Sequence, residues 1–376
     1  MTKQLTKYLL ILLIPSLVCV SCKNVEEKEN QKTVTSLKEA YKSDFYMGAA
    51  INESQIEEQD SLNTAIISND FNSITAENIM KSMFVHPEKS VYNFNQTDKF
   101  LAFGEKYNMF IHGHTLVWHS QLWPWIAEIQ DSTQMANTLE DHIKTIVSRY
   151  KGRIDSWDVV NEALNEDGTL RESVFLEVMG ASYLPLSFKW AAVADPNTDL
   201  YYNDYNMTNP DKRNGAIKLI KNIQNQGVKI DGVGMQGHWH LDTPSIEEIE
   251  ASIVAYSELG IKVAITELDI NLLPRPENLQ GAEVNQEFEE SEAMNPYPDK
   301  LPDAIQNKLA ERYKSIFELF LKHRDKISRV TFWGVEDGQS WLNDWPIDGR
   351  TNYPLLFDRN LKPKKAYDSI LSLKAN

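Results

Sequence analysis

Compact apolar runs alternate with longer amphipathic stretches along most of the chain. The apolar runs lie near residues 45–50, 73–76, 109–117, 154–160, 200–203, 232–237, 262–268 and 329–333. Helical periodicity separates them, for example over residues 141–150, 213–226, 245–259 and 305–323. Strands that alternate with helices indicate βαβ units and a parallel sheet. Eight such units predict an α/β protein built as a single (β/α)8 TIM barrel with long loops after the strands.

Polar and aromatic side chains follow the predicted strands at their carboxyl ends. In chain order they are Glu77 and Asn78, then His114, Trp118 and His119, then Asn161 and Glu162, then Asn203 and Tyr205, then Gln236 and His238, then Glu267 and Asp269, and finally Trp333. In a barrel these strand ends meet at one mouth, where barrel enzymes carry their active sites. A doubly wound sheet is the alternative fold, but no G-x-G-x-x-G sequence follows the first run.

Composition narrows the class of protein. Apolar residues make up 42% of the chain and charged residues 24%, which excludes a mostly disordered chain or a polytopic membrane protein. The net charge is -16, from 38 basic and 54 acidic residues. A duplex nucleic-acid binder normally carries a basic surface, so no nucleic-acid partner is expected.

The N-terminus predicts export. Lys3 and Lys7 precede an apolar run over residues 8–20, which is short for a membrane-spanning helix but typical of a signal peptide. The run ends in Cys19-Val-Ser-Cys22, which resembles a bacterial lipoprotein signal with Cys22 as the lipid-bearing residue. We therefore predict a signal peptide over residues 1–21, a flexible tether over residues 22–37 and a catalytic barrel over residues 38–376. Lipid attachment predicts the bacterial cell envelope, at the outer membrane or cell surface; secretion is the alternative.

Two glutamates at the ends of different predicted strands suggest one reaction. Glu267 shares a strand face with the apolar Val263 and Ile265, where an unpaired carboxylate is costly to bury. Glu162 ends the segment Trp157-Asp-Val-Val-Asn-Glu-Ala163. Taken separately, Glu267 fits a structural ion pair and Glu162 fits an acidic first-turn residue of a helix. Together they fit glycosidic bond cleavage, in which one carboxylic acid protonates the leaving oxygen and one carboxylate engages the anomeric carbon.

Tryptophans accompany these glutamates. They follow the third, sixth and eighth predicted strands, as Trp118, Trp123, Trp125, Trp239, Trp333, Trp341 and Trp345. Indole faces pack against the C–H faces of sugars, and the hydroxyl groups of sugars need polar partners. Such partners stand at the same strand ends, as Asn78, Lys81, His114, Gln121 and Gln236.

The order of these motifs resembles glycoside hydrolase family 10, whose typical activity is endo-β-1,4-xylanase. The matching segments are Thr75-Ala-Glu-Asn-Ile-Met-Lys81, Gly113-His-Thr-Leu-Val-Trp-His-Ser-Gln121, Trp157-Asp-Val-Val-Asn-Glu-Ala163, Tyr202-Asn-Asp-Tyr-Asn206, Gly234-Met-Gln-Gly-His238, Thr266-Glu-Leu-Asp269 and Trp333-Gly-Val-Glu-Asp337. The resemblance covers about residues 40 to 373. It implies a (β/α)8 barrel, a retaining double displacement, and xylan or xylo-oligosaccharides as the substrate.

The resemblance also implies a role for individual residues. Glu267 corresponds to the nucleophile and Glu162 to the acid/base. Asn161 corresponds to a ligand of the sugar 2-hydroxyl, and Gln236 corresponds to a neighbour of the acid/base. His238 corresponds to a partner of the nucleophile, and Asp269 to a residue that fixes His238. The implied substrate-binding residues are Glu77, Asn78, Lys81, His114, Trp118, Gln121, Tyr205, Trp333 and Trp341.

The implied mechanism needs Glu267 ionised and Glu162 protonated, and a retaining enzyme holds its two carboxyl groups about 5–5.5 Å apart. It requires no cofactor and no metal, and a monomer with no membrane contact beyond the lipid anchor is expected. Three alternatives remain open. The alternating pairs His112/His114 and His238/His240 fit a metal-dependent hydrolase. The tryptophans alone fit a non-catalytic glycan-binding lipoprotein. The whole site also fits another β-1,4-glycanase, such as a cellulase or a mannanase.

Overall fold

The computed structural model describes residues 36–279, 281 and 284–374. The predicted signal peptide, the predicted lipidation site Cys22 and the tether up to residue 35 lie outside the described residues. None of the helices in the described part of the chain is both long enough and apolar enough to cross a membrane.

Eight parallel strands close into a barrel in the described part of the chain. They are β1 (Tyr46–Ile51), β2 (Ser73–Ala76), β3 (Phe110–Gly113), β4 (Ser156–Asn161), β5 (Asp199–Asp204), β6 (Gly232–Met235), β7 (Lys262–Asn271) and β8 (Ile327–Phe332). Each strand pairs with the next, and β8 pairs with both β7 and β1, with Tyr46 opposite Arg329. Two short strands, Val117–Trp118 and His238–His240, pair beyond the rim with β4 and β7. The predicted (β/α)8 barrel is confirmed.

Helices connect the strands and cover the barrel. They are α1 (Leu37–Tyr41), α2 (Glu53–Ile56), α3 (Ser61–Asp70), α4 (Ser82–Val85), α5 (Asn95–Lys106), α6 (Ser132–Arg149), α7 (Val174–Met179), α8 (Tyr183–Ala194), α9 (Pro210–Asn225), α10 (Ile246–Ser257), α11 (Asp303–Lys322) and α12 (Lys365–Ser372). Single 3-10 turns lie at Ile126–Glu128, Gly180–Ser182, Glu292–Met294, Asp337–Gln339 and Trp341–Asn343. Short helices and turns therefore occupy several of the loops that follow the strands.

Two elements differ from the sequence prediction. The predicted third strand, residues 109–117, breaks at Gly113, where a Cβ atom would lie 2.3 Å from the ring of Trp157. The helix expected from residue 141 begins instead at Ser132 of α6. Its start is fixed by Asp131, whose carboxylate accepts a hydrogen bond of 2.7 Å from the backbone N–H of Gln134. This N–H lies in the first turn of α6 and has no carbonyl partner within the helix.

The barrel begins slightly earlier in the chain than the sequence predicts. The sequence places Ser36 and Leu37 in the tether, yet Leu37 is fully buried. Its backbone N–H donates to the carboxylate of Asp70 at 3.1 Å, and the hydroxyl of Tyr367 donates to the same oxygen at 2.7 Å. This contact joins α1, α3 and α12, so Ser36 and Leu37 belong to the folded unit.

Candidate active site

A cleft opens at the carboxyl ends of the strands. Its walls are formed by Glu77, Asn78, Lys81, His114, Trp118, Gln121, Asn161, Glu162, Gln236, His238, Glu267, Val284, Trp333, Trp341, Asp344 and Trp345. The parallel barrel thus brings together residues that are far apart in the chain, as expected for strand ends. Of the predicted site residues in the described part of the chain, only Tyr205 and Asp269 do not line this cleft.

Glu162 follows the last residue of β4 and turns into the cleft. Its backbone lies in the left-handed region, with φ of 56°, and its N–H donates to the carbonyl of Asn203 at 2.8 Å. Its carboxyl group receives hydrogen bonds of 2.9 Å each from Trp118 Nε1 and Gln236 Nε2. Burial raises the pKa of Glu162; His119 opposes the shift and the negative charge of Asp204 adds to it. Glu162 is therefore suited to hold a proton.

Glu267 lies on β7 and has the opposite preference. Asn203 Nδ2 donates to its Oε1 at 2.8 Å, and His238 Nε2 lies 3.2 Å from its Oε2. Burial by itself would raise the pKa of Glu267, but the hydrogen bond from His238 and the neighbouring histidines hold that pKa below its ordinary value. Glu267 is therefore suited to be ionised at a pH at which Glu162 is still protonated.

His238 is held as a cation between two carboxylates. Its Nδ1 lies 3.0 Å from Asp269 Oδ2, which also accepts a hydrogen bond of 2.8 Å from Trp341 Nε1. Burial would lower the pKa of His238, but Asp269 and Glu267 together raise it to about 10. Both ring nitrogens therefore carry protons, and each donates to one carboxylate. Asp269 lies behind His238 rather than in the cleft wall.

Asn203 is a further residue of the site; the sequence places it at the end of the fifth strand but assigns it no role. Its Nδ2 donates to Asn161 Oδ1 at 2.9 Å as well as to Glu267. Its Oδ1 accepts a hydrogen bond of 2.6 Å from the hydroxyl of Thr266. Gly234 leaves room for this amide, because a Cβ atom there would lie 2.1 Å from Asn203 Oδ1. Asn203 thus fixes Glu267 and Asn161 together.

The remaining cleft walls combine indole rings with polar groups. Lys81 Nζ donates to Asn78 Oδ1 at 2.8 Å and lies 5.1 Å from the ring centroid of Trp118. On the other side, the ring of Trp333 meets His114 edge to face at 5.4 Å. The geometry provides flat apolar surfaces beside hydrogen-bonding groups, which is the combination that a sugar ring needs.

Three cleft residues were not predicted as site residues, namely Val284, Asp344 and Trp345. Trp345 stacks on Trp341, with ring centroids 4.6 Å apart, and Asp344 lies between them in the chain. Trp345 was recognisable only as one member of the tryptophan cluster after the eighth strand. Nothing in the local sequence distinguishes Asp344 from other surface carboxylates.

Tyr205 requires a correction. The family resemblance implies that Tyr205 binds substrate, but only 3% of the residue is exposed. Lys212 Nζ lies 3.6 Å from the ring centroid, and Arg171 donates a hydrogen bond to the hydroxyl. The ring of Tyr205 is covered by these two cations and is not available as an open surface for substrate.

Three of the four alternating histidines, His112, His114 and His238, have carboxylate partners. His112 Nε2 and His114 Nδ1 each lie 2.9 Å from the same oxygen of Asp158. In the second pair, His238 is held between Glu267 and Asp269. Within the described ranges, no group of three or more His, Cys, Asp or Glu side chains is placed to hold a metal ion. The geometry therefore gives no support to the metal-dependent alternative.

The site as a whole defines a class of protein. Two buried carboxyl groups with opposite protonation preferences face one cleft, and indole rings, amides and a lysine surround them. A protonated carboxyl group beside an ionised one is what glycosidic bond cleavage by a pair of carboxylates requires. The fold and the site together are those of a glycoside hydrolase.

Comparison with known proteins agrees with this class and makes it specific. The chain matches the model of glycosyl hydrolase family 10 over residues 36–373. It is 40% identical to endo-1,4-beta-xylanase A of Xylanibacter ruminicola and 38% identical to beta-1,4-xylanase of Dictyoglomus thermophilum, with 99% of each chain covered in both cases. A solved GH10 endoxylanase retrieved from a sugarcane soil metagenome superimposes with a TM-score of 0.86 at 46% identity, covering 90% of this chain and 99% of that one. The chain belongs to glycosyl hydrolase family 10.

Proposed function

We propose that the protein is an endo-1,4-β-xylanase that cleaves internal bonds of xylan with retention of anomeric configuration. The observation that carries the proposal is the pairing of Glu162, whose pKa is raised, with Glu267, whose pKa is lowered, in one cleft. The names of two relatives that cover nearly the whole chain, both xylanases, support the choice of substrate.

In the first step the carboxylate of Glu267 attacks the anomeric carbon and forms an ester with the sugar. The bond between that carbon and the bridging oxygen breaks, and the proton of Glu162 passes to the leaving oxygen. The shortened chain with a new hydroxyl group departs from the reducing side. The hydrogen bonds from Asn203 and His238 keep Glu267 ionised and oriented before the attack.

In the second step the esterified Glu267 no longer carries a negative charge. Glu267 therefore no longer repels an ionised Glu162, and the carboxylate of Glu162 can accept a proton from water. The resulting hydroxide attacks the anomeric carbon, and Glu267 leaves as a carboxylate. Glu162 regains its proton, and one residue serves as acid and then as base without moving.

Asn161 is oriented for the sugar beside the reacting bond. Its Oδ1 accepts from Asn203 Nδ2 at 2.9 Å, so its own amide N–H groups are left to donate into the cleft. A donor at this position fits the 2-hydroxyl group, whose hydrogen bonds strengthen in the transition state of glycoside hydrolysis. This geometry supports the role that the family resemblance implied for Asn161.

The substrate and the stereochemistry are tested with purified polysaccharides. Hydrolysis of xylan, arabinoxylan, a soluble cellulose derivative and mannan is followed by product sizing, and the anomer formed first is identified by NMR. We expect xylans to be cleaved to mixed oligosaccharides with the β-anomer formed first. Preference for cellulose or mannan would show another β-1,4-glycanase, and an initial α-anomer would exclude the retaining mechanism.

We also propose that the protein is lipid-anchored at Cys22 in the bacterial cell envelope. The support is the sequence alone: the apolar run over residues 8–20 and the Ser-Cys pair that follows it. The full chain and a Cys22→Ser variant are compared by detergent phase partitioning of expressing cells. The full chain should enter the detergent phase and the variant should not; equal partitioning would favour a secreted protein.

A further inference from the structure

A second cleft lies beside the loops that follow β2 and β3. One wall is formed by His86 and Trp125, and the other by Gln134, Asn137 and Asp141 of α6. We propose that this α6 cleft binds a stretch of the xylan chain remote from the bond being cleaved. The inference rests on the proposed function, because it takes the substrate polymer as the occupant.

Trp125 provides a rigid apolar platform in the α6 cleft. Its ring stacks on the buried Trp123, with centroids 5.3 Å apart and planes 13° apart, and meets the ring of His86 at 5.0 Å. Its Nε1 has no solvent-exposed surface, so the part of this half-buried ring that remains exposed is hydrocarbon. An indole fixed in this way loses little conformational entropy when a sugar ring packs against it.

The opposite wall supplies hydrogen-bonding groups in a row. Gln134, Asn137 and Asp141 are spaced by three and four residues, so they share one face of α6. All three are exposed, and within the described residues the side-chain amides of Gln134 and Asn137 make no hydrogen bond. Lys89 also lines the cleft, and the carboxylate of Asp141 accepts a hydrogen bond of 3.0 Å from the hydroxyl of Tyr92. Amides beside an indole, with charges of both signs, repeat the surface chemistry of the catalytic cleft and favour an uncharged polyhydroxylated ligand.

The two clefts are joined by the same two segments of chain. Lys81 of the catalytic cleft and His86 of the α6 cleft flank the four-residue helix α4, which is about 6 Å long at 1.5 Å per residue. Gln121 and Trp125 are likewise four residues apart, and the backbone N–H of Met83 donates to the carbonyl of Gln121 at 3.2 Å. A polymer can therefore engage both clefts, whereas an oligosaccharide that fills only the catalytic cleft cannot.

The surface between the clefts is apolar. Met83 and Phe84 of α4 are 37% and 44% exposed, which is unusual for large apolar side chains of this barrel. These two adjacent side chains offer further hydrocarbon surface for the C–H faces of sugar rings between the two clefts. Binding at two linked positions raises the effective concentration of polymer at the catalytic cleft without any change in the chemical step.

The test separates polymer binding from catalysis. Retardation is measured in native gels that contain soluble arabinoxylan. The Glu267→Gln variant is the background, because it should not hydrolyse the arabinoxylan during the run. It is tested alone and combined with Trp125→Ala, with Gln134→Ala/Asn137→Ala, or with Tyr46→Ala. Tyr46 is the matched control, because it is 44% exposed and starts β1 at the opposite end of the barrel. The same changes with Glu267 intact are assayed on an aryl β-xylobioside and on long xylan.

We expect retardation to weaken about fivefold to tenfold for Trp125→Ala, and to weaken also for the Gln134/Asn137 variant, with no change for Tyr46→Ala. Hydrolysis of the aryl xylobioside should be unchanged, while KM for long xylan rises. The Gln134→Ala/Asn137→Ala variant, which changes only exposed side chains of α6, keeps the test valid if Trp125→Ala fails to fold. Unchanged retardation in both α6-cleft variants, or an equal loss on the short substrate, overturns the inference. Absence of aryl xylobioside cleavage by the unaltered protein would instead refute the proposed function.

Discussion

The main-chain carbonyl of Gln236 accepts a hydrogen bond of 2.6 Å from the backbone N–H of Glu267. The side-chain amide of the same residue donates to Glu162 at 2.9 Å. A single residue after β6 therefore fixes the position of β7 and of the carboxyl group that follows β4. This link explains how two glutamates separated by 105 residues (267 minus 162) keep a fixed relative position.

Replacement of Glu267 by Gln should abolish hydrolysis, because an amide cannot form the ester intermediate. We expect kcat on xylan to fall by roughly 10⁴-fold or more, while the affinity for xylo-oligosaccharides measured by calorimetry changes little. Asp269→Asn, which keeps the shape of a nearby buried carboxyl group, is the matched control and should retain measurable turnover. Substantial cleavage by the Gln variant would show that the nucleophile is another residue.

Replacement of Glu162 by Ala should impair substrates according to their leaving group. A sugar leaving group needs the proton of Glu162, whereas a nitrophenolate does not, so activity on xylan should fall far more than the first turnover of a nitrophenyl xylobioside. Added azide should then attack the glycosyl-enzyme and give a β-glycosyl azide, detected by mass spectrometry and NMR. An equal loss on both substrates, with no azide product, would argue against Glu162 as the acid.

The pH profile of kcat/KM should be bell-shaped, because the reaction needs Glu267 ionised and Glu162 protonated. The lowered pKa of Glu267 places the acid limb below the ordinary range of a glutamate, and the raised pKa of Glu162 places the alkaline limb above it. Activity is thus lost as pH falls through the first pKa and as it rises through the second. His238→Asn removes the cation beside Glu267, which raises the pKa of Glu267 and moves the acid limb to higher pH. A shift of the alkaline limb alone would contradict this assignment.

Replacement of Asn203 by Ala should lower kcat on xylotriose by about tenfold to a hundredfold, with little change in KM. Asn203 contacts Glu267 and Asn161 but does not line the cleft, so it positions groups rather than binding sugar. Gly234→Ala should reproduce part of the loss, since its Cβ atom would displace the same amide. A rise in KM without a loss in kcat would show that Asn203 binds substrate directly.

Exhaustive dialysis against EDTA should leave the initial rate on xylan unchanged. The expectation follows from the partners of the histidines. Asp269 and Glu267 hold the two ring nitrogens of His238, and His112 and His114 share one oxygen of Asp158. Rates are measured before dialysis, after dialysis, and after addition of Zn²⁺ or Ca²⁺. Loss of activity that a divalent cation restores would revive the metal-dependent alternative.

The sequence by itself determined the fold class and the identity of most of the site. Runs of apolar residues separated by helical periodicity specify a parallel barrel, because each strand must be buried on both faces. Polar residues directly after those runs could then be placed at one mouth, and Glu162, Glu267, Lys81 and Trp333 were found in this way. Local pattern was enough for these residues because each one lies in the second half of a strand or within five residues after it.

Only the tertiary structure decided how the site works. The protonation preferences of Glu162 and Glu267 depend on burial and on partners such as Asn203 and His238, which come from other strands. Tyr205 ends a strand as Glu162 does, yet Lys212 and Arg171 cover it. The α6 cleft likewise exists only because α6 packs beside the loops after β2 and β3. The chain pattern fixes which face of an element a residue occupies, but contacts between distant segments fix its hydration, charge and accessibility.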